Sequence, residues 1–210
     1  MTSQSIYMTQ MAKQFSPACE RNQAAILSYL QTYLSDARLV LEIGSGTGQH
    51  AVYFSQHLPH LDWQTSDRPE NHPSIQAWIQ DQGSSRVRAP LPLDVAQGNW
   101  PTQTVDAVFT ANTCHIMSID EVKLMFEGAS RVLKAKGQMI IYGPFNYQGN
   151  FTSISNQEFD TNLKLQAPHR GIRDIEEIQK IAENYALVLS ADLDMPANNR
   201  LLVFVKNSHT

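Results

Sequence analysis

The stretch VLEIGSGTGQH, Val40 to His50, decides the fold. An apolar run ends in a carboxylate and turns through three glycines, and a helical pattern begins near Gly48 and runs to about His57. Strand, glycine turn and helix open a βα unit whose helix N-terminus receives a ligand. The dinucleotide fingerprint G-x-G-x-x-G would put its third glycine at position 49, where Gln49 stands. Here the glycines fall at Gly44, Gly46 and Gly48. Glu42, two residues ahead of the first, would repel a pyrophosphate and attract a cation.

Outward from this turn, apolar runs alternate with helical patterns, as in a parallel sheet covered by helices. Strands are expected at Leu39–Ile43, Asp62–Asp67, Val87–Asp94, Val105–Ala111 and Gln138–Tyr142, the third at an edge because of its prolines. Helices are expected over Cys19–Leu34, from Gly48, from Pro73 to Ile79, and from Ser118, where Ser118 and Glu121 form a capping box and Gly137 marks the stop. A further helix should start at Asp174 with Glu177. Asn146 to Gly171 reads as irregular or weakly helical. Leu187–Asp192 and Leu201–Lys206 are separated only by the turn Met195–Arg200, so they must pair antiparallel. The predicted fold is α/β: a doubly wound, mostly parallel seven-stranded sheet with an antiparallel last strand.

Composition sets the class. The chain has 210 residues, a net charge of -4 and 42% hydrophobic residues. This suits one domain spanning 1–210, with an N-terminal helical lid (1–37) and a substrate-side insert (143–172). The acidic balance argues against a nucleic-acid partner. Cys19 and Cys114 lack metal-ligand spacing and read as reduced thiols of a cytoplasmic protein. The N-terminal residues lack a signal-peptide core, and no apolar run approaches the roughly 20 residues of a membrane span.

S-adenosylmethionine meets the demand made by Glu42, because it offers an adenosine with a cationic ammonium and sulfonium in place of phosphate. Gly44, Gly46 and Gly48 let the backbone approach it closely. Asp67 ends the second strand, where an acid accepts from ribose hydroxyls. Asp94 ends the third, facing an adenine amino group, and Val95 offers a backbone N–H to the ring. Asn112, at the fourth strand end, belongs to the same cofactor-binding set.

This layout resembles the class I S-adenosylmethionine-dependent methyltransferases: LEIGSGTGQH, TSD, LDV and VDAVFTANTCH follow in the order of that superfamily's motifs. The resemblance covers roughly Arg38 to Lys206 and implies their Rossmann-like fold and methyl-transfer chemistry. FSPACERNQAAIL, DRPEN, NTCHIM, YGPFNYQG and MPANNR are similar, more narrowly, to the methyltransferase-like 26 family.

An acceptor should approach near the fourth and fifth strand ends. His115 is the candidate general base, or else a packing residue. Cys114 reads as a small buried side chain. NTCH lacks the N-P-P-aromatic signature of enzymes that methylate amides and exocyclic amines. Tyr142 and Phe145, with Tyr147 and Phe151, either wall a substrate pocket or pack in the core. Arg21 would pair with the methionine carboxylate or an acidic substrate, and Arg68 would lie against the adenine, unless both are solvated. His169 and Arg170 sit where a substrate lid is expected. The acceptor is expected to be a small molecule, ahead of a protein. Two other readings stand beside methyl transfer: a non-catalytic module that binds S-adenosylmethionine, and a nicotinamide-dependent oxidoreductase on the same sheet.

Overall fold

The computed structural model describes residues 13–207. Nine strands and six α-helices are present among them: α1 (Pro17–Tyr33), β1 (Leu39–Ile43), α2 (Gln49–His57), β2 (Asp62–Asp67), α3 (His72–Gln82), β3 (Val87–Pro92), β4 (Val105–Ala111), α4 (Ile119–Val132), β5 (Leu133–Gly143), β6 (Phe145–Asn146), α5 (Ile154–Gln166), β7 (Arg173–Asp174), α6 (Ile175–Glu183), β8 (Leu187–Met195) and β9 (Asn199–Lys206).

Seven strands form one sheet in the order β3-β2-β1-β4-β5-β9-β8. β1 pairs in parallel with β2 and β4, β2 with β3, and β4 with β5. β9 runs antiparallel between β5 and β8. The predicted sheet, its antiparallel strand and the edge position of β3 are therefore present. The chain winds outward from β1 to β3, then returns to β4 on the other side of β1. The crevice at that reversal, outside the strand C-termini, is where such sheets bind ligands.

Alternation along each strand feeds two cores. In β4, Ala107 and Phe109 join Ile26, Leu30, Phe54 and Trp63 beneath α1 and α2. Val108 points the other way, to Met125, Phe126, Ile178 and Phe204 beneath α4 and α6. Phe54, Trp63 and Phe109 pack with ring centroids 5.4–5.7 Å apart, within the range favourable for aromatic pairs. Both sheet faces are thereby covered by helices, and the strand ends stay open.

Local expectations fared unevenly. Ser118 and Glu121 do form a capping box. The helix ends at Val132, however, not at Gly137. Leu133 is already extended and enters β5, and Lys136, at φ 64°, lies in a bulge. Asp174 makes no side-chain cap to α6; its Oδ1 instead accepts from Gly149 N–H at 3.0 Å. The stretch read as irregular or weakly helical contains α5, a helix of 13 residues. Ser153 caps this helix by accepting from Asn156 N–H at 3.1 Å, and the short parallel ribbon β6–β7 frames it.

Candidate active site

The glycine turn is held by hydrogen bonds from the strands beside it. Ser45 N–H donates to Ser66 O at 3.0 Å, and Gly46 N–H donates to the Asp67 carboxylate at 2.7 Å. All three glycines sit at positive φ (70°, 57° and 96°), a region where side chains bring strain. Their surroundings differ. A Cβ on Gly44 would lie 2.8 Å from Thr113 Cγ2, so this glycine allows β4's loop to close against β1. At Gly48 it would lie 2.9 Å from Ile75 Cα, so α3 packs directly on this backbone. At Gly46 nothing stands within 4 Å. Of the three glycines of the turn, Gly46 is the one whose Cβ position faces open space.

That space is a cleft of about 740 Å³ at the C-terminal edge of β1, β2, β3 and β4. Its volume falls in the range of small-molecule sites, roughly 300–1,000 Å³. Gly44, Gly46, Asp67, Arg68, Asp94, Val95, Asn112, His169 and Arg170 all line it. Nine residues expected at the site, drawn from five separate loops, thus meet in one crevice.

Asp67 is buried and accepts from Gly46 N–H, from Arg68 N–H at 2.7 Å and from Asn71 Nδ2 at 2.8 Å. A carboxylate has about four acceptor positions, so one remains for a ligand hydroxyl. Asp94 accepts from Ala96 N–H at 3.0 Å, which fixes the turn that carries Val95. Asn112 directly follows β4 at φ 60°, a left-handed conformation that asparagine tolerates better than most residues. Its N–H donates to Tyr142 O at 2.8 Å, and this bend turns the chain into the cleft wall.

The remaining expected residues lie elsewhere. Glu42 is beneath the turn, not in the cleft wall. Its Oε2 accepts from Ser45 Oγ at 2.7 Å and from Trp63 Nε1 at 3.1 Å. Burial pushes its carboxyl up to about 7, helped by the nearby negative Asp67 and opposed by those two donors. Gly48 serves the α2–α3 contact and does not line the cleft. Tyr142 and Phe145 are 3% and 1% exposed and belong to the two cores, so they do not wall a pocket. Arg21 is exposed on α1, outside the cleft lining. Its neighbour Asn22 reaches inward instead, 2.7 Å from His50 Nε2.

His115 is buried behind the cleft, its ring 5.2 Å from that of Phe159. Desolvation, then the charges of Arg173 and Arg170, push its imidazole down to about 4. Such a group is a weak proton acceptor at neutral pH. The packing role, the second of the two sequence readings, is the one the geometry supports.

Sequence reasoning missed four contributors. Asn71 braces Asp67. Thr113 lines the cleft while its hydroxyl meets Thr110 Oγ1 at 2.7 Å. Glu121, read only as a helix cap, faces the cleft as well. Arg173 ties the loop after β4 to the insert by donating to Cys114 O at 3.1 Å, to His169 O at 2.8 Å and to Met117 O. Of these, only Glu121 carried a local signal, the capping box. Asn71 and Thr113 act through contacts only four and three residues away, with no pattern that marks them, and Arg173 acts on a segment distant in sequence.

Solved structures share this architecture. The chain aligns over 90% of its length, with TM-score 0.76 and 16% identity, with an O-methyltransferase family protein from Burkholderia thailandensis, 59% of which is covered. It aligns over 88%, with TM-score 0.74 and 17% identity, with the mitomycin 7-O-methyltransferase MmcR, covering 56% of that chain. Human N-acetylserotonin methyltransferase, solved in complex with SAM, gives 90% coverage, TM-score 0.72 and 14% identity, with 58% of that chain covered. The chain thus spans less than two thirds of the length of each. These likenesses identify the Rossmann-like methyltransferase fold. A family model matches residues 13–206, nearly everything the structure describes, and the chain belongs to that family, described as "Protein of unknown function (DUF938)".

Proposed function

We propose that the protein is an S-adenosylmethionine-dependent methyltransferase acting on a small-molecule acceptor. One observation carries this reading. Asp67 and Asp94, at the ends of adjacent strands, line a single cleft with the bare backbone of Gly46. Two acids suit hydroxyl and amino donors, and a phosphate bridge would meet charge repulsion there. Asp67 would accept from the ribose, Asp94 and Val95 would meet the adenine edge, and Gly44 and Gly46 would pass beneath the amino-acid tail. Glu42 would act on the cationic end as a field from below the turn, through Ser45, with no direct contact.

The bound cofactor supplies an activated methyl group. The chain's task is then to exclude water and align the acceptor. With His115 buried and held neutral, the reading favours an acceptor atom that is soft or already ionised and needs no base. The narrower likeness to the methyltransferase-like 26 family, a cytoplasmic location, and the roles of residues 1–37 and 143–172 as lid and substrate-side insert belong to the same proposal. A protein acceptor ranks second.

Calorimetric titration with S-adenosylhomocysteine and with NADH tests it. Tighter binding of S-adenosylhomocysteine is expected, and preferential binding of NADH overturns the reading. The burial of His115 also favours a second reading, a module that binds the cofactor without turnover. Release of S-adenosylhomocysteine during incubation with a metabolite panel would exclude that one.

A further inference from the structure

The far wall of the cleft carries positive charge that the protein leaves unneutralised. Arg170 lines this wall. Its Nη1 donates to Gln166 Oε1 at 2.8 Å, while its Nε is hidden from solvent and has no acceptor. Among the described residues no carboxylate forms an ion pair with Arg170 or with Arg173 behind it. The buried acid of the insert, Asp160, is committed elsewhere: it accepts from Ile172 N–H at 2.8 Å and pairs with Lys164 at 2.6 Å. Arg173 donates to three backbone carbonyls through Nε and Nη2, which hold its charge in place without cancelling it. Both charges also act on His115, whose imidazole burial already pushes down.

A hidden guanidinium donor with no partner is costly, and native proteins rarely keep one without reason. Its fork matches a carboxylate. Arg68 lines the cleft too, but it is exposed and already bridges Glu70 at 3.1 Å. We infer that the acceptor is a small carboxylate-bearing molecule whose anionic group docks on Arg170, away from the acids of the nucleoside side. The inference rests on the methyltransferase reading, and it names the substrate class for that same cleft. The methionine carboxylate of the cofactor is a second source of the same chemistry, so the test separates the two.

The probe is the Arg170 Nε–H resonance of isotopically labelled protein saturated with S-adenosylhomocysteine, whose binding is first established by calorimetry. The resonance is assigned by its loss in Arg170→Lys and, should that variant fail to fold, by triple-resonance assignment of the wild-type protein. Benzoate, 4-hydroxybenzoate, cinnamate and butyrate are titrated beside their primary amides. At least one carboxylate is expected to shift the resonance saturably, at least about tenfold more tightly than its amide, as a charged hydrogen bond warrants. If no carboxylate moves it up to the solubility limit, or if amides do so equally well, the inference is overturned. It is also overturned if S-adenosylhomocysteine itself shifts and saturates the resonance, because the carboxylate held is then the cofactor's own. Failure to bind S-adenosylhomocysteine at all would instead defeat the cofactor reading.

Discussion

Replacing Glu42 by glutamine should change how stability depends on pH. The carboxyl is 2% exposed and stands at about 7 in the fold, against an ordinary value of 4.5. A raised pKa means the folded state binds the proton more tightly than the unfolded chain. The resulting stabilisation is complete below about pH 4.5 and is lost as pH climbs through 7. The shift corresponds to about 3 kcal/mol, of which roughly 2–3 kcal/mol should disappear between about pH 5 and 8.5. Glu42→Gln keeps the shape and an acceptor for Ser45 and Trp63 while removing the titration. Urea unfolding of both proteins, followed by circular dichroism across that range, gives the difference curve. Wild type should lose stability relative to the variant as pH rises, with the midpoint of the loss below pH 7. A cation bound above the turn should stabilise the ionised form, so saturating S-adenosylmethionine, with its ammonium and sulfonium, should flatten the curve and release protons near neutrality. Parallel curves for the two proteins within about 0.5 kcal/mol would refute the reasoning, because Glu42 would then be solvated or paired in a way that its two neutral donors do not provide.

Asp67→Asn should weaken S-adenosylhomocysteine binding by at least about tenfold and cost about 1–3 kcal/mol in urea unfolding, since an amide cannot accept from all three of its present donors. Calorimetry and denaturation measure the two effects separately. Gly46→Ala and Gly48→Ala should divide. At Gly46 the methyl enters the cleft, with a stability cost of only about 1–2 kcal/mol and a clear loss of cofactor affinity; at Gly48 it strikes Ile75 and should cost more than about 2 kcal/mol. Equal stabilities for the pair would contradict the packing described. His50 and His115 both sit near 4, lowered chiefly by burial. Their neutral forms therefore contribute stability above about pH 6.5 that is lost as pH falls toward 4. His115→Gln should shed part of that acid sensitivity in thermal melts between pH 7 and 4, and an unchanged acid limb would count against it.

The sheet was legible because each strand is either a continuous apolar run or an alternating one bounded by turn residues, and β4 shows both its faces buried in the structure. The weakness of the helical signal over α5 has a physical explanation. In α5 the polar Asn156 and Asp160 are buried while Ile154 and Leu165 are 77% and 80% exposed. Its periodicity is inverted relative to a helix that packs on a core, so a search for an apolar stripe passes over it. The wall of the cleft built from Asp67 and Asp94 was also legible, because both sit at strand ends, where local sequence fixes position. The wall built from the insert was not. Tyr142 and Phe145, in a dense aromatic run, could be read as pocket walls or as core; the structure puts Tyr142, on β5, and Phe145, on β6, into opposite cores. Arg173 acts through carbonyls of a loop more than fifty positions earlier in the chain, and sequence spacing gives no hint of that.

The position of β9 has a consequence for biosynthesis. β9 fills an interior slot, and among the described residues it is the only neighbour of β8 in the sheet. On the ribosome β8 therefore emerges before the strand it needs, while β5 waits with an unsatisfied edge. At synthesis rates of roughly 5–20 residues per second that interval is brief. A stalled or truncated nascent chain would prolong it, leaving two unpaired ribbons free to join each other out of order or to recruit strangers.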